Sequence, residues 1–431
     1  MGIVIQKFGG SSVADAEKFR RCAQRVTEAI AQGDQPVVVV SAMGDSTDDL
    51  IQLAESVAEG PDKRELDQLL ATGEQVSIAM MAMTLKASGI PAVSLTGQQA
   101  AITTDDVHGR ATILAIDGSR LQELINRGNV PVVAGFQGVT RTGDITTLGR
   151  GGSDTTAVAL AATLGGRCEI FKDVDGVYTA DPRLVPSAQR LPTVTYEEML
   201  EAAALGSQVI HPRAVELAKK YDVKVRVLHS HLPGFGPSNE PVGTWVVSES
   251  QHMEARVVSG VVVKKDVARV SLRGVTNRTG IQSEIFSPLA LAHLPVDDII
   301  QEDDGPSTIN VTFTMDKRDI RDASPIIHRV AQEINAQAVR IDTGLVTVSA
   351  VGAGMRTSSG VAARLFEAMA SAGIKVENVT TSEIRISCIV TEADGQRAAA
   401  AIHSAFGLDI PMPQDRVTES KPLNSTISAL Q

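Results

Sequence analysis

Gly149-Arg150-Gly151-Gly152-Ser153-Asp154-Thr155-Thr156 stands directly before an apolar run, Ala157 to Leu164. Glycines there let bare backbone approach an anion, and the run behind them aims a helix N-terminus at it. A second turn of this kind, Lys7-Phe8-Gly9-Gly10-Ser11-Ser12, lies between the apolar strand Ile3-Val4-Ile5 and a helix. Two such turns point to an enzyme that holds a nucleotide and a second anion together. The plainer reading makes Asp154 a helix N-cap and Arg150 a surface residue. A cap needs only one residue, whereas this whole turn is specialised.

Short apolar strands alternate with amphipathic helices from residue 1 to about 247. Pro36–Val40, Pro91–Leu95, Val130–Ala134 and Glu169–Lys172 read as buried strands. A helix runs from about Asp15, its N-cap or first turn, to Ile30, with Phe19, Cys22, Ala23, Val26 and Ile30 at helical spacing. A longer one covers Leu66 to Lys86, its Met80, Met81 and Met83 read as core packing. This alternation predicts an α/β unit with a largely parallel sheet, whose ligands gather at strand C-termini. The last third repeats itself: Gly280–Phe286 aligns with Gly360–Phe366 at an offset of eighty residues. Each copy reads βαββαβ, the ferredoxin-like unit. The expected division is 1–247, a linker over 248–265, a first repeat over 266–343, a second over 344–415 that exchanges a strand with the first, and a tail over 416–431. A short strand is expected to return to the repeat after Phe406.

Bulk properties agree. The chain has 431 residues, 43% apolar and 21% charged, with a net charge of −11. That charge, without any Lys/Arg block, argues against nucleic acid or an anionic membrane as partner. No apolar run reaches the roughly 20 residues of a membrane helix, and no signal peptide is visible, which implies a cytoplasmic location. Cys22, Cys168 and Cys388 are widely spaced and read as buried free thiols, and His229-x-His231 as a structural pair rather than a metal site.

Lys7 at a strand end offers a mobile positive charge beside backbone amides. Arg150 suits forked binding of a carboxylate, with Ser153 donating beside it. Ser41-Ala42-Met43-Gly44-Asp45-Ser46-Thr47 follows a strand and suits substrate binding; an ordinary βα loop reads the same way. Glu74, inside the long helix, matters if it faces the cleft and meets an ammonium group. Asp173-Val174-Asp175-Gly176-Val177-Tyr178, continuing to Arg183, reads either as a hairpin turn or as a nucleotide pocket.

Together these stretches resemble the aspartate kinase family. Lys7–Val13 resembles its KFGGSSV signature, Gly135–Gly138 its GFQG motif, Thr147–Thr155 its TLGRGGSDT motif, and the C-terminal repeat its tandem ACT domains. The resemblance implies an amino-acid-kinase sandwich followed by two ACT domains. It implies phosphorylation of the L-aspartate side chain by ATP with Mg²⁺, feeding lysine, threonine, methionine and isoleucine synthesis. Carried over by residue, Lys7 stabilises the transferring phosphoryl group, and Gly9, Gly10, Ser11 and Ser41 hold phosphate. Asp154 organises cations, and Asp173, Asp175, Tyr178 and Arg183 line the ATP pocket. Thr47, Glu74, Arg150 and Ser153 bind aspartate. Asn277, Thr279, Gly280, Ile281, Gln301, Ser382 and Glu383 fall at the effector positions, with lysine, threonine or both as inhibitors. A homo-oligomer, dimer or dimer of dimers, is implied, with Met253 as an internal start for a separate regulatory subunit. The chain departs from the family pattern at Gln208, where lysine is usual. Rival readings are a kinase for another small substrate and a catalytically silent amino-acid sensor.

Overall fold

The computed structural model describes residues 2–207, 209–232, 242–248 and 256–410. Gln208, Met253 and the expected tail lie outside them. The larger sheet has eight strands, with Ile3–Phe8 in its interior. Gln35–Val40 lies parallel on one side and Arg167–Lys172 parallel on the other. Val130–Ala134 and Ala92–Leu95 extend the first side, and Val225–His229 the second, all parallel. Thr244–Val247, antiparallel to Val225–His229, and then Thr193–Thr195 complete that second side. Gln35–Val40 and Val130–Ala134 are nearly continuous valine because helices cover both faces. Gly152–Leu164, Tyr196–Ala204 and Pro212–Tyr221 pack on Ile5, Val39, Val133 and Ile170. Ala16–Ala31 and Lys63–Ala87 pack on Phe8, Val38, Val40 and Phe171.

Asp15 caps Ala16–Ala31, its carboxylate accepting the Lys18 amide at 2.9 Å. Of the three methionines read as core, Met81 is fully buried, but Met83 is 57% exposed. Two residues are just over half a helical turn, so these two side chains face opposite ways. The three cysteines are buried and free. His229 Nδ1 accepts the amides of His231 and Leu232 at 3.0 and 3.1 Å, a structural role. A small sheet of four short strands, not foreseen from the sequence, includes Ile145–Thr147 and leads straight into Gly149.

The second sheet has six strands, all antiparallel, in the order 297–303, 308–316, 260–276, 338–351, 385–391, 378–382. Helices Ile281–Leu291 and Ile320–Glu333 cover the first repeat, Val361–Ser371 and Gly395–Ala405 the second. The long strands Gly260–Thr276 and Ala338–Val351 run through both repeats. Gly260–Lys264 pairs with Thr347–Val351, so it supplies a strand to the second repeat. This corrects the expected linker over 248–265. Val261-Val262-Val263 is β-branched, and Val261 is buried among second-repeat side chains. Of the stretch after Phe406 expected to return a strand, residues 407–410 form a turn and the rest lies outside the described residues; Gly260–Lys264 is the strand that pairs with Thr347–Val351.

Candidate active site

Parallel pairing sets the ends of Ile3–Phe8, Gln35–Val40 and Arg167–Lys172 on one edge, and both glycine turns open there. Lys7 Nζ lies 2.7 Å from Asp154 Oδ1, and Lys172 Nζ lies 3.1 Å from Oδ2. Lys7 and Asp154 are almost fully buried. Burial pushes Asp154 toward its neutral form, but the two ammonium groups outweigh this and hold its carboxyl well below the usual range. Burial also pulls Lys7 below the ordinary lysine value, and Asp154 offsets only part of that. Two cations share one carboxylate, so the pocket carries surplus positive charge. Asp154 is not the helix cap: Gly151, at φ 74°, occupies that position without a side-chain bond.

The turn after Lys7 is stitched to the loop after Gln35–Val40. The Gly44 amide donates to the Gly10 carbonyl at 3.0 Å, and the Ser41 amide to the Phe8 carbonyl at 3.1 Å. A Cβ on Gly10 would lie 2.8 Å from the Ala42 carbonyl oxygen, so only glycine allows this approach. Gly9 adjoins the Lys7 ammonium, and Ser11 is exposed. Thr47 stands in the first turn of the helix Ser46–Val57. Glu74 reaches the same loop from Lys63–Ala87: its Oε1 accepts the Ala42 amide at 3.0 Å. Its Oε2 is buried with no hydrogen-bond partner among the described residues. Burial pushes the Glu74 carboxyl up to about 7. A buried carboxylate with an unfilled oxygen is a seat for a cation.

Ser153 packs against Gly135, where a Cβ would lie 2.7 Å from its Oγ. Arg150 is exposed at the turn. The next residue, Gly151, packs on His211, an imidazole that burial, Arg213, Lys172 and Arg150 hold below its ordinary value against the pull of Asp154. Arg150 belongs to the same turn as Asp154, four residues before it.

Several residues here were missed in the sequence. Lys172 was read only as strand, although its place at the end of a strand parallel to that of Lys7 was a usable signal. The His211 ring packs onto Gly151, where a Cβ would meet it at 2.1 Å. Arg213 donates to the Leu148 and Ala111 carbonyls at 2.9 and 2.7 Å, clamping the root of the 149–156 turn. Asp67 accepts from Thr147 Oγ1 at 2.5 Å and meets His108 Nδ1 at 2.8 Å.

The segment 173–183 leaves the same edge after Lys172. Asp173 is exposed, and the Tyr178 hydroxyl donates to Asp175 at 2.8 Å. Arg183 points away, forked onto Asp181 at 2.8 Å with its side chain 90% exposed. The effector positions divide into two groups. Asn277, Thr279, Gly280 and Ile281 form one turn, and Gln301 joins it by accepting from Gln282 at 2.8 Å. Ser382 and Glu383 lie at the opposite end of the six-stranded sheet, where Ser382 donates to Glu201 at 3.2 Å and Glu383 pairs with Arg356 at 3.1 Å. Among the described residues no three His, Cys, Asp or Glu side chains converge as a metal site, and no helix is long and apolar enough to cross a membrane.

Comparison with known proteins gives two family matches, the amino acid kinase family over residues 2–229 and the ACT domain over 348–406. Aspartate kinase Ask_LysC of Stutzerimonas stutzeri is 47% identical over 412 residues, 95% of this chain and 98% of that one. The aspartokinase of Pseudomonas aeruginosa is 46% identical over 96% of this chain and 100% of its own. Among solved structures, E. coli aspartokinase III with aspartate and ADP is 25% identical at a TM-score of 0.74, covering 94% of this chain and 99% of that one.

Proposed function

The chain belongs to the aspartate kinase family, within the amino acid kinases, and from that premise we propose the following mechanism and regulation. The γ-phosphoryl group of ATP moves to the side-chain carboxylate of L-aspartate, giving 4-phospho-L-aspartate and ADP. A carboxylate oxygen bonds to the γ-phosphorus as the bond to the β–γ bridging oxygen breaks. The nucleophile is already ionised at neutral pH and needs no general base. Catalysis is then alignment and charge neutralisation.

The observation that carries this reading is the buried pairing of Lys7 and Lys172 across Asp154, at 2.7 and 3.1 Å, beside two glycine turns. Its surplus positive charge suits a polyphosphate. Gly9, Gly10, Ser11 and Ser41 line the phosphate side, and 173–183 borders the nucleotide. Arg150 and Ser153 take the α-carboxylate, Glu74 takes the α-ammonium on its unfilled oxygen, and Thr47 orients the substrate. Mg²⁺ bound with the nucleotide would neutralise phosphate charge, and Asp154 would be the carboxylate that organises it.

Residues 1–247 form the catalytic unit, and the two C-terminal repeats are its regulatory unit. The inhibitor is lysine, threonine or both, the assembly is a homo-oligomer in the cytoplasm, and Met253 starts a separate regulatory chain. ADP release from ATP with aspartate, measured with and without lysine and threonine, tests the reading. Aspartate-dependent turnover is expected. Its absence, with nucleotide or effector binding retained, would favour the silent sensor.

A further inference from the structure

The segment that follows Lys172 does not stay with the catalytic core. Val177 and Leu191 pack among the catalytic unit's side chains, but between them Ala180, Val185 and Ala188 pack in the second repeat's core, with Val258, Val348 and Ile402. At the crossing point stands Thr179, fully buried. Its carbonyl accepts the Val261 amide at 2.7 Å, and its amide donates to the Gln189 carbonyl at 2.8 Å. Its Oγ1 accepts the Gln189 amide at 2.9 Å, lies 2.8 Å from His403 Nε2, and faces the Leu408 carbonyl at 3.4 Å.

A hydroxyl has one hydrogen and two lone pairs. All three side-chain contacts are satisfied at once if His403 carries its proton on Nε2 and donates, while the hydroxyl donates to Leu408. His403 is itself buried, on the helix Gly395–Ala405 of the second repeat. One threonine side chain therefore joins the root of the 173–183 segment to the helix that closes the second repeat.

We infer that Thr179 and His403 are positioning residues for the nucleotide: the second repeat holds the 173–183 segment in its ATP-binding shape whether or not an effector is bound. This rests on the assignment of 173–183 to the nucleotide pocket. Its first residues, Asp173 and Val174, are exposed, and Arg183 bonds to Asp181 within the segment. Val177 is tied to the catalytic unit, its amide donating to Thr244 Oγ1 at 2.8 Å and its carbonyl accepting the Leu191 amide at 2.8 Å, and beyond it Thr179 adds the tie to the second repeat. The 149–156 turn is clamped separately by Arg213 and Asp67. Loosening the base of 173–183 should weaken the nucleotide and leave aspartate untouched.

The test uses the full-length chain and four variants, Thr179→Val, Thr179→Ser, His403→Ala and His403→Gln. Steady-state KM values for ATP and aspartate are measured together with direct ADP binding and thermal unfolding. Thr179→Val keeps the shape and removes the hydroxyl, and is expected to raise the KM for ATP and the Kd for ADP about fivefold, the scale of one lost buried hydrogen bond. The aspartate KM should stay within about twofold. His403→Ala should do the same, and Thr179→Ser and His403→Gln, which keep the donor and acceptor atoms, should restore ATP affinity. A folded Thr179→Val with native ATP and ADP affinity, or a rise of both KM values together, overturns the inference. Asp173→Ala separates it from the reading beneath. If Asp173→Ala weakens ATP while Thr179→Val does not, only the positioning role fails. If neither weakens ATP, the nucleotide assignment of 173–183 fails.

Discussion

The Lys7 ammonium and the Asp154 carboxylate sit 2.7 Å apart in a pocket where both are almost fully buried, and Lys172 holds the second carboxylate oxygen at 3.1 Å. A buried pair of this kind contributes little net stability, because desolvation offsets much of the attraction. Its value here is electrostatic: one aspartate keeps two lysines in place, and their excess charge faces the glycine turns.

Lys7→Ala removes the charge proposed to stabilise the transferring group. Turnover is expected to fall on the order of 10²–10³-fold, the scale of losing one preorganised charge-stabilising donor. The aspartate KM should change little. Steady-state kinetics on a variant shown by circular dichroism to be folded checks this. Near-wild-type turnover would remove Lys7 from the chemistry.

Glu74 gives a pH signature. Its carboxyl is pushed up to about 7 by burial, and on the proposed role the substrate ammonium would select the ionised form. The kcat/KM for aspartate should therefore fall as pH drops through about 7, approaching tenfold per unit below it. The sign for stability is opposite. The folded state binds this proton more tightly than the unfolded chain, so the contribution is present at low pH and is lost as pH rises through about 7. Glu74→Gln should flatten both profiles over that window and raise the aspartate KM by roughly 10- to 100-fold, the loss of one charged hydrogen bond. An unchanged pH profile in this variant would assign the titration to another group.

The catalytic edge was legible because its elements are local. Ile3–Ile5 and Val37–Val40 announce themselves as β-branched runs, and the Gly9-Gly10 turn follows directly on the first strand. The βαββαβ repeat was readable for the same reason. Contacts made between distant segments were not. Lys172 stands at its strand end as Lys7 does, but that the two share Asp154 follows from strand order, which no local motif carries. The Arg213 clamp on Leu148 spans sixty-five positions, and Thr179 meets His403 across more than two hundred. Gly260–Lys264 read as linker because its pairing partner lies some ninety residues further along the chain.

Gly151→Ala tests how tightly the 149–156 turn is packed. Gly151 has φ 74°, and a Cβ there would lie 2.1 Å from the His211 ring. The variant must strain its backbone and displace the imidazole, at a cost of about 1–3 kcal/mol for the backbone alone. Thermal unfolding should shift down accordingly, and the aspartate KM should rise because Arg150 and Ser153 flank the displaced turn. An unchanged unfolding temperature would show that the turn accommodates the methyl without strain.

Arg385 carries the last prediction. Its guanidinium lies 3.5 Å from Glu201 of the catalytic unit and 3.6 Å from Asp298 of the first repeat, and nearby Ser382 also donates to Glu201 at 3.2 Å. Three parts of the chain therefore meet at one arginine, far along the sheet from the turn at Asn277–Ile281. Any rearrangement of the repeats on effector binding must stretch or remake these contacts, so they report the change to the helix Tyr196–Ala204. Arg385→Ala leaves the Lys7, Asp154 and Glu74 contacts intact, and basal turnover should stay within about twofold. The concentration of lysine or threonine giving half-inhibition should rise at least fivefold, the lower end of typical coupling between sites. Glu201→Gln should shift inhibition in the same direction. Full inhibition at the native concentration in both variants would route the signal elsewhere, most directly through the Glu198 carboxylate, which accepts the Ala353 amide at 3.0 Å.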